Sequence, residues 1–238
     1  MMTISHSITS DSTHQWRKGL QLSLPVAMGY IPAGIAFGVL AQVAGLPVWA
    51  CLFMSILLYA GAAQYACLPM LSAGLPILNI TTNIGAINMR HIFYALPLLS
   101  SLPTSKLARL YCLFALTDET FSVMTSLSAE QRQAVFVPVS FFNQCWWVIA
   151  TLIGALMGGV LNEWIPHLDF ALVCLFAVLA YEQLKNVKSV LPIVIAIISL
   201  LIAMQLTADW LLLTAIVICI VFILLSGLFT VPTKRTQG

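Results

Sequence analysis

The sequence predicts an all-α, polytopic integral membrane protein of about eight transmembrane helices, some interrupted by proline and glycine. Three observations predict it. Of 238 residues, 61% are hydrophobic and only 8% charged, where a soluble domain carries about 25% charged residues; the mean hydropathy is +0.99. Apolar runs recur at the length that crosses roughly 30 Å of hydrocarbon, with links too short to hold a soluble domain. Prolines and glycines also stand inside these runs, as in Leu24-Pro25, Gly29, Ile31-Pro32, Gly34 and Gly38.

The elements follow in order. Residues 1–16 are polar and rich in serine and threonine, and are expected to form a short mobile tail. Arg17-Lys18 precedes an apolar run from Leu20 to Ala41, too long for the core of a signal peptide, so it reads as an uncleaved first helix. On the length rule the spans fall at about 20–41, 48–71, 75–100, 107–127, 134–160, 166–184, 189–206 and 210–230. They form one integral domain over 17–231, followed by a cytoplasmic tail at 232–238. Short links between 48 and 100 leave room for a re-entrant segment and seven spans.

Basic residues set the orientation. With the N-terminus inside, the inner face receives Arg17, Lys18, Arg132, Lys185, Lys188, Lys234 and Arg235, and the outer face only Lys106 and Arg109. Both termini are therefore expected in the cytoplasm. A formal charge of +2 scattered between apolar segments gives no nucleic-acid surface. Cys51, Cys67, Cys112, Cys145, Cys174 and Cys219 lie in apolar segments without paired ligand spacing, and read as packing residues. No P-loop, dinucleotide fingerprint, HExxH or GxSxG is present, so neither a metal nor a cofactor is expected.

Three stretches place polar groups at mid-membrane depth. The third span carries Asn88-Met89-Arg90-His91-Ile92-Phe93-Tyr94, and a central arginine costs roughly 2.5–3.5 kcal/mol on insertion scales. At helical spacing Asn79, Asn83, Arg90 and Tyr94 share an arc of about 60°, with Asn88 and His91 to one side. Such a stripe reads as the lining of a pathway or as an inter-helix hydrogen-bond staple. The second span carries Tyr59-Ala60-Gly61-Ala62-Ala63-Gln64-Tyr65, open between lining a site and packing. The fourth carries Leu116-Thr117-Asp118-Glu119-Thr120; two adjacent carboxylates at mid-depth are not expected to be ionised together. Arg90 and Asp118 lie at similar depths, roughly 15 Å from the outer ends of their spans, so an ion pair between Arg90 and Asp118 or Glu119 is expected. The prolines and glycines of the first span read equally as an interrupted, site-lining helix or as a kinked one packed through Gly34 and Gly38. Asn143-Gln144 and Gly154-xxx-Gly158 of the fifth span read as packing, His167, Asp169 and Glu182 as interfacial, and the last two spans as scaffold or partner surface.

Four of these stretches, Leu24-Pro25 through Gly38, Tyr59 through Tyr65, Asn88 through Tyr94 and Leu116-Thr117-Asp118-Glu119-Thr120-Phe121, together resemble the AzlC-type family, the large subunit of bacterial branched-chain amino acid exporters. They cover about the first 125 residues in order. Ala95 stands where the family often has a glycine after the tyrosine. The resemblance implies export of leucine, isoleucine, valine and similar neutral amino acids across the bacterial inner membrane, driven by the proton gradient. It also implies a small AzlD-type membrane partner of about four spans.

The mechanism expected is secondary transport by alternating access. Arg90 would hold the substrate carboxylate or the acidic pair, and Asp118 and Glu119 would take the ammonium or the coupling proton. Gln64 and Asn83 would add neutral hydrogen bonds, with Tyr59, Asn88, His91 and Tyr94 along the pathway. Two other classes stay open: a membrane scaffold subunit without transport, and an intramembrane enzyme, against which the lack of a nucleophile–base pair counts.

Overall fold

The computed structural model describes residues 4–164, 170, 173–174, 177, 181, 190–206 and 211–229. The span expected at 166–184, with His167, Asp169 and Glu182, falls largely outside these residues, as do Lys185, Lys188, Lys234 and Arg235. The described residues contain helices and no strand.

Two compact units follow one another, Met1–Tyr181 and Glu182–Gly238. In the first, α1 (Ile4–Val43) and α8 (Ala129–Trp164) are the long members. Their stretches Ser12–Val43 and Ala129–Gly158 are long and apolar enough to cross a membrane. Between them lie α2 (Val48–Phe53), prolonged by a π turn at Met54–Leu58, and α3 (Gly61–Ser72). Then come α4 (Ile77–Asn88) and α5 (Arg90–Ala95), which continues as a 3₁₀ turn at Leu96–Ser101. The last short members are α6 (Lys106–Phe114) and α7 (Asp118–Thr125). The second unit packs two apolar helices against each other, α9 (Leu191–Leu206) and α10 (Leu211–Phe229).

Residues 4–16 continue α1, where a polar tail was expected. Pro25 and Pro32 lie inside the same unbroken helix, so of the two readings left open for the first span the interrupted one is not there. Each proline removes one donor, and tight packing along α8 holds the helix together. A Cβ on Gly38 would lie 2.3 Å from Thr151 O, and one on Gly154 2.0 Å from Ile35 O. The two small-residue faces oppose each other, which is the packing alternative for Gly34-xxx-Gly38.

Local chemistry explains the turns. Gly45 and Gly74 have φ of +88° and +64°. After each, a leucine N–H reaches back five residues, Leu46 to Ala41 O and Leu75 to Met70 O, which is the Schellman closure of a helix end. Pro47 and Pro76 then start the next helices.

Two other interruptions matter for the site. One is at Tyr59-Ala60, between the π turn and α3. The other is at Ala115-Leu116-Thr117, between α6 and α7. Tyr59 has φ +37° and ψ +49°, a left-handed conformation that costs a non-glycine residue roughly 1–2 kcal/mol. At the second break, Ala115 and Leu116 are both buried but in different clusters. Ala115 packs with Phe37, Tyr59 and Trp147, and Leu116 with Leu98, Cys112 and Val135. Consecutive residues on a helix point only about 100° apart, so serving two cores pulls the chain out of the helix.

Candidate functional site

The two breaks meet in one small cavity in the first unit. Its lining includes Tyr59, Ala60, Gly61 and Ala62 from the first break and Thr117, Asp118 and Glu119 from the second. Tyr30 of α1, Arg90 and His91 of α5, and Trp147 of α8 complete it. The space is about 10 Å³, room for roughly one water. An amino acid side chain therefore enters only if the walls move.

At the second break, Thr117 is the N-cap of α7 and its Oγ1 accepts from the Thr120 N–H at 3.4 Å. Asp118 and Glu119 are the first two helical residues, where the unpaired N–H groups favour negative charge. Their side chains go separate ways. Asp118 takes Arg90 Nη2 at 2.9 Å and the Tyr94 hydroxyl at 2.5 Å. Tyr94 in turn stacks on Phe121, ring centroids 4.6 Å apart. Glu119 is 5% exposed and accepts from the Tyr30 hydroxyl at 2.6 Å, which also lies 2.8 Å from Thr117 Oγ1. The expected pairing of Arg90 with an acid is present, and the acid is Asp118. The ion pair leaves Arg90 serving an acidic group of the protein itself.

The first break is built differently. Ala60, the N-cap of α3, has no side chain to cap with, and no acid stands in the first turn. The first helical bond of α3 runs from Gln64 N–H to Ala60 O at 2.9 Å, so the N–H groups of Gly61, Ala62 and Ala63 precede any intrahelical partner. The Tyr59 hydroxyl is buried beside the side chain of Tyr30 and those of Thr117 and Glu119 at the start of α7.

Other residues singled out from the sequence lie outside the lining. Gln64 is fully buried on the far side of α3. Its Oε1 accepts from Trp147 Nε1 at 2.8 Å and its Nε2 donates to Ser55 Oγ at 3.0 Å. It positions Trp147 rather than facing the cavity. Asn83 donates to Asn79 O, one turn back on its own helix, and Thr81 and Thr82 do likewise to Ile77 O and Leu78 O. The stripe expected along the third span therefore divides: Arg90 and His91 reach the cavity, Tyr94 reaches Asp118, and the α4 residues do not. Asn88 Oδ1 and His91 Nε2 are buried atoms without a hydrogen bond. Asn143 donates to Thr120 Oγ1 at 3.1 Å, behind the Thr117 cap. Gln144 donates to Ile56 O at 3.2 Å, a carbonyl of the π turn just before the first break.

Tyr30 and Trp147 were missed. The signal for Tyr30 was available: it is a tyrosine in mid-span, the same feature that drew attention to Tyr59.

Residues 25–161 match the AzlC protein family, a segment that holds every residue of the cavity. The chain belongs to the AzlC family. An uncharacterized membrane protein of Helicobacter pylori (strain 26695) is 30% identical over 198 residues, 79% of this chain and 87% of the relative. The inner membrane protein YgaZ of Escherichia coli K12 is 32% identical over 65% of this chain and 66% of its own length. The branched-chain amino acid transport protein AzlC of Bacillus subtilis 168 is 26% identical over 73% of this chain and 69% of its own. No solved structure matches the chain. With relatives named as membrane proteins and these apolar helices, this AzlC-family chain is an all-α membrane protein.

Proposed function

We propose that this AzlC-family chain is the large subunit of a secondary transporter that exports leucine, isoleucine, valine and similar neutral amino acids across the bacterial inner membrane, driven by the proton gradient. Membership of a family with a relative named as a branched-chain amino acid transport protein supports the substrate class. The observation that carries the mechanism is the meeting of two interrupted helices at a buried carboxylate, Glu119, whose hydrogen-bond partner is the Tyr30 hydroxyl, whereas Asp118 beside it has Arg90. Interrupted helices line many transporter sites, because helix ends present groups to a substrate that an intact helix would keep for itself. Arg90 fixes Asp118, and Glu119 takes the substrate ammonium or the coupling proton in turn. The cavity is closed in this conformation, as an alternating-access cycle requires at one stage.

Eight spans with both termini cytoplasmic, and a small AzlD-type partner, belong to this reading. Reporter fusions at the C-terminus should be active only in a cytoplasmic form, and purification in mild detergent should bring down a small polytopic protein. The direct test is efflux of L-leucine and L-valine from preloaded cells with and without this chain and its partner. Efflux that is the same in both, with the proteins shown to be inserted, would remove the proposal.

A further inference from the structure

Glu119 is sealed in this conformation. It is 5% exposed, it accepts from the Tyr30 hydroxyl, and the cavity it lines holds roughly one water. A carboxylate that exchanges protons with a gradient needs a second group to carry them past that seal. Asp118 does not serve, because Arg90 and the Tyr94 hydroxyl hold it. His91 lines the same cavity and is only half-buried, so it is not closed in as Glu119 is. Its Nε2 is nonetheless a buried atom that finds no hydrogen bond among the described residues.

The neighbours of His91 on α5 fix its place against the start of α7. Arg90, one residue before, pairs with Asp118 at 2.9 Å. Tyr94, three residues on, donates to the same carboxylate, and its ring centroid lies 5.9 Å from that of His91. The titratable groups about the imidazole are therefore Arg90 and Tyr94 of α5, Asp118 and Glu119 of α7, and Tyr30 and Tyr59 on the cavity wall. α4 and the 3₁₀ turn also pack on α5 and carry none. Arg90 and Asp118 are already paired with each other, which leaves Glu119 as the acid with a proton to exchange.

We infer that His91 relays protons between Glu119 and bulk water through a water held in the cavity. This rests on the transport reading above and deepens it. Histidine suits the task because its two ring nitrogens take a proton at one end and release one from the other. The cavity water also gives Nε2 the partner that a buried polar atom normally has. On release, Glu119 passes its proton to that water, which passes one of its own to Nε2. The imidazolium then gives up its Nδ1 proton on the more open side. The neutral ring, now protonated on Nε2, resets by turning over, and loading runs the same steps in reverse.

The test uses proteoliposomes holding the full-length chain, with any partner that copurifies, as wild type, His91→Gln or His91→Phe. Glutamine keeps a hydrogen bond for the water, phenylalanine keeps a ring beside Tyr94, and neither carries a proton. Gradient-driven efflux of L-leucine is compared with its exchange at equal pH on both sides. Both variants should lose at least about tenfold in efflux rate, as proton transfer becomes limiting, and should exchange as wild type does. What efflux remains should still need the gradient, since Glu119 is intact.

Wild-type efflux in either inserted variant would overturn the inference. So would efflux and exchange falling by the same factor, the mark of a merely structural histidine; His91→Gln decides this if His91→Phe does not insert. Wild type that exchanges L-leucine but ignores the gradient would overturn the relay and leave transport standing. If another neutral amino acid shows the expected pattern and L-leucine is not carried, the relay stands and the branched-chain reading fails. If wild type carries no amino acid, both fail.

Discussion

The two helix breaks face one cavity but handle their loose backbone groups in opposite ways. At Ala115-Leu116-Thr117 the chain satisfies itself: Thr117 caps α7, Asp118 is tied to Arg90 and Tyr94, and Glu119 to Tyr30. At Tyr59-Ala60 the backbone is held left-handed at φ +37°, and the helix that follows begins on an alanine with nothing to cap it. Gly61 and Ala62 are only half-buried there, so water can reach the first N–H groups of α3. The difference teaches that the second break is closed by the protein's own side chains, whereas the first is left to backbone geometry alone.

The comparison can be broken most directly at the ion pair. Arg90→Ala should strand Asp118 and cost about 3 kcal/mol, read as thermal unfolding in detergent. Adding Asp118→Ala to the same chain should recover part of that loss. If Arg90→Ala leaves unfolding unchanged, the second break is not held together as described.

A substitution away from both breaks separates scaffold from site. A Cβ at Gly154 would press on the Ile35 carbonyl oxygen at 2.0 Å, and backbone cannot rotate aside. Gly154→Ala should cost about 1–3 kcal/mol by prising α1 from α8, the helices that carry Tyr30 and Trp147. Stability and transport should fall together. A fully stable Gly154→Ala protein would mean that α1 and α8 do not approach this closely.

The smallest effects carry the sharpest contrast, because they differ in sign. Thr117→Ala should lose about 1 kcal/mol of stability as the α7 cap disappears, and Thr117→Ser should restore it. Ala60→Ser should gain about 0.5–2 kcal/mol at α3, which has no side-chain cap of its own. Equal signs in unfolding experiments would show that the two helix starts are alike after all.

Much of this was legible in the sequence, and the reasons for the rest are specific. Apolar run length placed α1, α8 and the turns at Gly45 and Gly74, which follow length and turn chemistry, whereas the runs at 48–71, 75–100 and 107–127 each hold more than one short helix. The Arg90–Asp118 pair followed from matching depths. The breaks did not follow: the prolines Pro25 and Pro32 left an interruption as one of two readings of the first span, and α1 runs through both, packed along α8. The second break had a readable sign: Thr117-Asp118-Glu119 is an N-cap followed by two acids, the pattern of a helix start. Inside an apolar run it reads as two buried charges instead. Gln64 and Asn83 show another limit. Polarity in a membrane segment says that a residue needs a partner, not which one. Gln64 found Trp147 and Ser55, and Asn83 its own helix.

The central claim is that Glu119 moves protons while Asp118 holds the site together. It is tested by comparing gradient-driven efflux with substrate exchange at equal pH on both sides, in proteoliposomes holding wild type, Glu119→Gln or Asp118→Asn. In Glu119→Gln, gradient-driven efflux should be lost and exchange retained, because the amide keeps the Tyr30 contact but carries no exchangeable charge. In Asp118→Asn, both should decline together as Arg90 loses its partner. Proton-driven efflux left intact in properly inserted Glu119→Gln would contradict the account and place the coupling group elsewhere in the chain.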